Sequence, residues 1–215
     1  MSGALQAVYQ NLRGFSTVPV IGSAYEGGYF AGQISTAGNG IADYNLVAAP
    51  KSTGENNNLV QKTSNTTTAG TSSVIDGPTN SANMNDVLHP AAQFCEGLTI
   101  GGYSDWYLPA KNELEVCYYN LKPSTTSNST GSGANTYAVP SRSGNYSSGT
   151  PAQTSATDFQ SGGTQAFVST FPSTYWSSTQ SAAPKAWEQA FNNGTQYGQY
   201  KNNQYNVRAI RRVAI

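Results

Sequence analysis

The only histidine, His89, stands directly before Pro90, and the only thiols are Cys95 and Cys117. These residue types could supply a nucleophile, a base or a metal ligand. Two cysteines and one histidine are too few for a structural zinc site. His89 falls at a predicted helix start, with no Ser, Cys or Asp partner in a recognisable motif. Glu113 and Glu115 are two apart on a predicted helix. They do not share a face and cannot act as a paired acid and base. The thiols fall on predicted helices among apolar neighbours and read as buried free cysteines, with a disulfide as the alternative. The expectation is a chain that is not an enzyme and holds no metal and no cofactor.

A second kind of chemistry is richer. From Asn192 to Asn206 the chain is almost wholly Asn, Gln, Tyr and Gly. Such residues make adaptable contact surfaces: Tyr gives rigid area, and amides give flexible hydrogen bonding. The candidate contact residues are Trp187, Asn192, Asn193, Gln196, Tyr197, Gln199, Tyr200, Asn202, Asn203, Gln204 and Tyr205. A plain exposed hairpin would have the same composition. Arg208, Arg211 and Arg212 form a nearby basic cluster. Strand alternation puts Arg208 and Arg212 on one face and Arg211 on the other. Ion pairs with carboxylates and carbonyls are therefore expected, and nucleic-acid binding is not.

The chain has 215 residues, a formal net charge of zero and only 10% charged residues. No overall field would draw in nucleic acid or an anionic membrane. No apolar run is long enough to span a bilayer, and the start has no secretory pattern. A surface-type composition without an export signal fits a virion protein assembled in the host cytoplasm.

Several elements must position these residues. Leu5, Val8, Tyr9 and Leu12 mark one face of a short helix within residues 1–20. With Phe15 they form an expected docking or oligomerisation segment, because so short a helix is unstable alone. A hairpin is predicted over 28–49, turning at Ala37-Gly38-Asn39-Gly40. Residues 51–80 read as a loop with a short strand near Leu59. One helix is predicted from His89 to Glu96 and another from Lys111 to Leu121, with Leu114, Cys117, Tyr118 and Leu121 as its apolar stripe. Residues 122–174 are a Ser/Thr/Gly-rich insert, with a short helix near Thr154–Gln160 that turns Phe159 inward. If ordered, that insert needs packing partners, which points to an oligomer or a larger particle. A hairpin is predicted around Asn192-Asn193-Gly194, followed by one closing strand from Asn206 to Ala214. Trp106, Leu108, Leu114, Trp176, Val207 and Val213 are expected in the core. This order of elements gives an α+β class.

Four blocks carry a resemblance. They are Gly101 to Leu114 (GGYSDWYLPAKNEL), Tyr175-Trp176-Ser177-Ser178-Thr179, Ala186-Trp187, and Val207 to Val213. In that order they resemble the C-type-lectin-like domains at the ends of collagen-like adhesins (the Lcl C-terminal type) and on tailed-bacteriophage structural proteins. The resemblance covers roughly residues 20–215. It implies a C-type-lectin-like fold, with two helices packed on antiparallel sheets and chain ends meeting in one sheet, in a domain at 21–215. Related domains often carry Ser or Thr where Ala110 stands, so this helix is expected to lack that cap, a loss of about 1 kcal/mol. The Glu-Pro-Asn, Gln-Pro-Asp and Trp-Asn-Asp motifs of calcium lectins are absent. The implied function is a phage tail-fibre, tail-tip or capsid-surface protein on the virion surface that recognises host glycan or protein. It would bind other virion proteins through the N-terminal segment and form a homo-oligomer, a trimer being one option. The alternatives are a purely structural capsid decoration or collar protein, and a secreted bacterial adhesin.

Overall fold

A computed structural model describes residues 18–215. The expected docking residues Leu5, Val8, Tyr9, Leu12 and Phe15 lie outside the described residues. Two antiparallel-dominated sheets face a small set of helices. The first sheet is built on β2 (Gly28–Ile34) and β3 (Tyr44–Ala48), the two arms of the predicted hairpin. β1 (Ala24–Tyr25) and β5 (Ala138–Val139) pair with β2, and β10 (Ile210–Ala214) pairs with β3. Strands from both ends of the described chain therefore share one sheet. A bulge falls between Phe30 and Gly32, and Gly32 has a φ of 129°. An added Cβ there would meet Asn120 Nδ2 at 2.3 Å, so glycine lets helix and strand come close.

The second sheet runs β4 (Glu55–Val60), β9 (Gln204–Arg208), β6 (Thr174–Ala182), β7 (Lys185–Ala190), β8 (Gln196–Tyr200). The predicted closing strand is thus two strands. The chain changes sheets at Ala209, whose N–H donates to Gly54 O at 2.9 Å while its carbonyl accepts from Ala49 N at 3.0 Å. Side-chain alternation continues on both sides of that step, which is why the pattern reads as one strand.

Helices α3 (Pro90–Glu96) and α4 (Lys111–Leu121) match the two predicted ones. The stretch read as a loop over 51–80 holds more. It contains a helical turn, α1 (Lys51–Gly54), all of β4, and the start of α2 (Gly77–Ala82). Asp76 caps α2 by accepting from Thr79 N. Ala110 offers α4 no side-chain acceptor, but the lost cap is replaced from elsewhere. Thr179 Oγ1 on β6 accepts the Lys111 N–H at 3.0 Å, and Glu113 reaches back to the Ala110 N–H at 2.8 Å.

Two apolar clusters lie between these layers. Leu114, Cys117, Tyr118, Leu121, Phe159, Phe167, Tyr175 and Phe191 belong to one, and Cys95, Trp106, Leu108, Trp176 and Val207 to the other. The two thiols are free, buried and in separate clusters. Val213, expected in the core, is only half-buried, because β10 runs out to the surface at its end.

The insert finds its packing partners within its own chain. Phe159, on a 3₁₀ turn (Thr157–Phe159), is buried, as are Tyr146 and Phe167. Asn128 is buried too, its amide donating to Pro151 O at 2.9 Å and its carbonyl accepting from Tyr118 OH at 2.6 Å.

Candidate recognition face

The hairpin β7–β8 runs in register from Lys185↔Tyr200 to Gln189↔Gln196. Its turn is Asn192-Asn193-Gly194, with Gly194 at φ 77°. Gly194 N donates to Ala190 O at 2.8 Å, and Asn193 Oδ1 accepts from Thr195 N at 3.1 Å. Position, not flexibility, therefore sets where β8 lies: it is an edge strand braced by β7.

Tyr197 and Tyr200 on β8 are 56% and 49% exposed. Lys185 Nζ lies 5.7 Å from the first ring centroid and 5.1 Å from the second, within cation–π range of both. Trp187 is half-buried under Lys111, whose Nζ sits 4.5 Å from its ring centroid. Trp187, Gln196, Lys111 and Asn145 share a cleft of about 150 Å³. Burial holds the Lys111 ammonium below its ordinary pKa. Asn202 and Gln204 are exposed, while Asn192, Asn193, Gln199 and Asn203 are half-buried.

Two residues depart from a simple contact strip. Tyr205 is half-buried, its ring 4.8 Å from that of Trp176, so it caps the core rather than anchoring a partner. Lys201, in the middle of the polar run, is fully buried. Its ammonium donates to Thr66 O at 2.9 Å and to Gln180 Oε1 at 2.6 Å. Beneath the hairpin, Glu188 is 6% exposed and its Oε2 has no hydrogen-bond partner. Burial pushes its carboxyl up to about 8.

The arginines are paired, each with its own carboxylate. Arg208 Nη1 donates to Glu55 Oε2 at 3.0 Å, and Arg211 Nε to Asp105 Oδ1 at 2.7 Å. Arg212 Nε donates to Glu113 Oε1 at 2.7 Å. Because the chain changes sheets at Ala209, Arg208 and Arg212 lie on different sheets and not on one face of one strand. Glu113 and Glu115 are both buried and serve separate partners. Glu115 takes Arg142, Asn135 Nδ2 and Tyr146 OH. Burial raises both carboxyls.

A larger cleft of about 640 Å³ is lined by Tyr44, Asp76, Asp105, Tyr107 and Arg212. No residue of the C-terminal run lines it. Among the described residues no three His, Cys, Asp or Glu side chains gather in a group that could hold a metal ion. No helix among them is long and apolar enough to cross a membrane.

His89 does have partners, which the sequence pattern missed. Its Nδ1 is 2.7 Å from Asp86 Oδ1, and its Nε2 is 3.0 Å from Thr68 Oγ1. Asp86 is close in sequence, but Thr68 arrives through the fold of the loop after β4. The only advance signal was a lone histidine at a helix start.

The family model that this mixed α+β domain matches marks it as an adhesin-like, surface-type module. The chain belongs to the Lcl C-terminal domain family, whose model matches residues 53–211. No curated protein matches the chain.

Proposed function

We propose that this chain is a non-enzymatic virion protein of a tailed phage, in a tail fibre, tail tip or capsid surface, that binds a host surface glycan or protein. The observation that carries the reading is the exposed pair Tyr197 and Tyr200 on a rigid edge strand, with Lys185 between them. Tyrosine has few rotatable bonds, so its ring loses little entropy on binding and contributes strongly to contact energy. Trp187 and Gln196, on the Tyr200 side of the hairpin, and Asn202, exposed in the turn that follows, add aromatic and amide groups nearby. In this reading the fold is C-type-lectin-like, supported by the sharing of one sheet by early and late strands. Residues 1–20 dock or oligomerise the chain on other virion proteins.

The test is adsorption of particles that carry Tyr197→Ala with Tyr200→Ala. The expected result is a loss of about tenfold or more, worth at least 1.4 kcal/mol, with unchanged melting of the purified protein. Unchanged adsorption would sink the contact assignment. Gold-labelled antibody against residues 192–206 separates the readings by place. Label at tail tips supports recognition, and label over the shell supports decoration of the capsid. A chain absent from particles would return the secreted adhesin.

A further inference from the structure

Three segments far apart in sequence meet around one buried hydroxyl. Thr68, in the loop after β4, is 7% exposed, and its Oγ1 lies 3.0 Å from His89 Nε2. His89 is 4% exposed and turns its other ring nitrogen to Asp86 Oδ1 at 2.7 Å. The hydrogen bond from His89 holds the Asp86 carboxyl below its ordinary range, so it is ionised at neutral pH. A carboxylate only accepts, so Nδ1 carries the proton of that bond. In the neutral ring Nε2 is then the acceptor, aimed at the Thr68 hydroxyl. The order hydroxyl, imidazole, carboxylate is that of an activated nucleophile with its base and the group that orients the base.

An acyl group sits against the backbone of the same threonine. Gln180 on β6 places its carboxamide oxygen 2.8 Å from the Thr68 N–H and 2.6 Å from Lys201 Nζ. Lys201 Nζ is itself 3.4 Å from Thr68 Oγ1. One carbonyl oxygen thus receives two donors, a backbone N–H and a buried ammonium. Acyl-transfer sites present this arrangement to an oxygen that becomes negative. Burial and the neighbouring Lys62 push the Lys201 ammonium down to about 8, which leaves it mostly charged at neutral pH. Its contact is with the oxygen of the carboxamide, as a donor, so it is placed to stabilise charge and not to attack. Thr68, His89 and Lys201 are all more than nine-tenths buried. The acyl group that shares their donors is the chain's own.

We propose that Thr68 and Gln180 join in an intramolecular ester that the chain forms on itself. Thr68 Oγ bonds to Gln180 Cδ while His89 Nε2 takes the hydroxyl proton. The carbonyl electron pair moves onto Oε1, where the Thr68 N–H and the Lys201 ammonium hold it. The pair then returns, the Cδ–Nε2 bond breaks, and His89 gives its proton to the departing nitrogen, which leaves as ammonia. A hydroxyl and a primary carboxamide become an ester and ammonia, with no oxidant, metal or cofactor. Gln180 is only half-buried, so ammonia has a way out, while burial of the hydroxyl side shields the ester from water. The bond ties the loop after β4 to β6 across 112 positions, beside the turn that follows Tyr200.

The test uses the purified full chain after incubation at neutral pH, by intact mass and by mapping of tryptic peptides. The expected mass is one ammonia, about 17 Da, below that of the sequence. The segments containing Thr68 and Gln180 should appear as one branched peptide that hydroxylamine splits. Thr68→Ala and His89→Ala should keep the full mass, and Thr68→Ser should keep the link. Separate, unmodified Thr68 and Gln180 peptides in the wild-type digest would overturn the proposal. So would a hydroxylamine-resistant link between Lys201 and Gln180, or an ammonia loss that maps to an Asn-Gly step. The wild-type digest decides alone, so a variant that misfolds does not blur the result.

Discussion

Glu188→Gln should change how stability depends on pH. Glu188 sits on β7 with 6% exposure, and its Oε2 has no partner. An unpaired buried carboxyl resists ionisation, and here burial raises it from 4.5 to about 8. The folded state therefore keeps a proton that the unfolded chain has lost. The sign follows from linkage. Stability is full below the unfolded value and falls as pH rises toward the folded one, by about 1.4 kcal/mol per pH unit. At pH 7, roughly 2.5 pH units above the starting value, the loss is about 3 kcal/mol. Gln cannot ionise and has nearly the same shape, so the variant lacks this slope. Gln adds a buried N–H of its own, so the slope is a cleaner readout than any single value. The assay is urea unfolding of both proteins from pH 5 to pH 8. The stability of the variant relative to wild type should rise by about 1.4 kcal/mol per pH unit through the middle of that range and flatten toward pH 8, where the folded carboxyl itself ionises. A constant difference would refute the reasoning, because it would mean that Glu188 ionises normally in the folded chain.

Two further substitutions probe the interior. Glu55→Ala removes the carboxylate facing Arg208, which is fully buried, and should cost about 3–5 kcal/mol in denaturant unfolding with little salt dependence. Adding Arg208→Met should recover part of that loss, and no recovery would mean that the uncompensated charge is not the cause. Gly194→Ala forces a side chain into φ 77° and puts its Cβ 2.4 Å from Tyr118 Cε1. A loss of about 1–3 kcal/mol is expected, and a neutral result would show that the turn readily re-forms in another shape.

What could be read beforehand depended on how local each signal was. The helix from Pro90 and the one after Pro109 announce themselves through proline, apolar spacing and glycine, all within one segment. The β7–β8 hairpin does so through Asn193-Gly194. Burial of Trp106 and Trp176 follows from size and apolar neighbours. The step at Ala209 was hidden because alternation gives the same reading on both sides of a change of sheet. The cap of α4 was hidden because Thr179 supplies it from a strand 68 positions downstream. Within the candidate face, exposure of Tyr197 and Tyr200 matched an edge strand, but composition could not distinguish them from Tyr205, which a neighbouring tryptophan draws inward. The Thr68–His89–Asp86 arrangement had no sequence spacing to betray it, since the loop that brings Thr68 is ordered by tertiary contacts.

The change of sheet at Ala209 also governs when the domain can fold. β9 lies between β4 and β6 in the second sheet, and β10 completes the first. Both come from residues 204–214, far along the chain from β4. Glu55 therefore waits for Arg208, 153 positions later, before its strand has a neighbour. A growing chain on the ribosome carries β4 with an open edge until residues 204–208 have emerged. Pairing across such a separation is slow, and an exposed edge invites association with other chains. Emergence of β9 and β10, rather than of the helices, is the moment at which this domain can close.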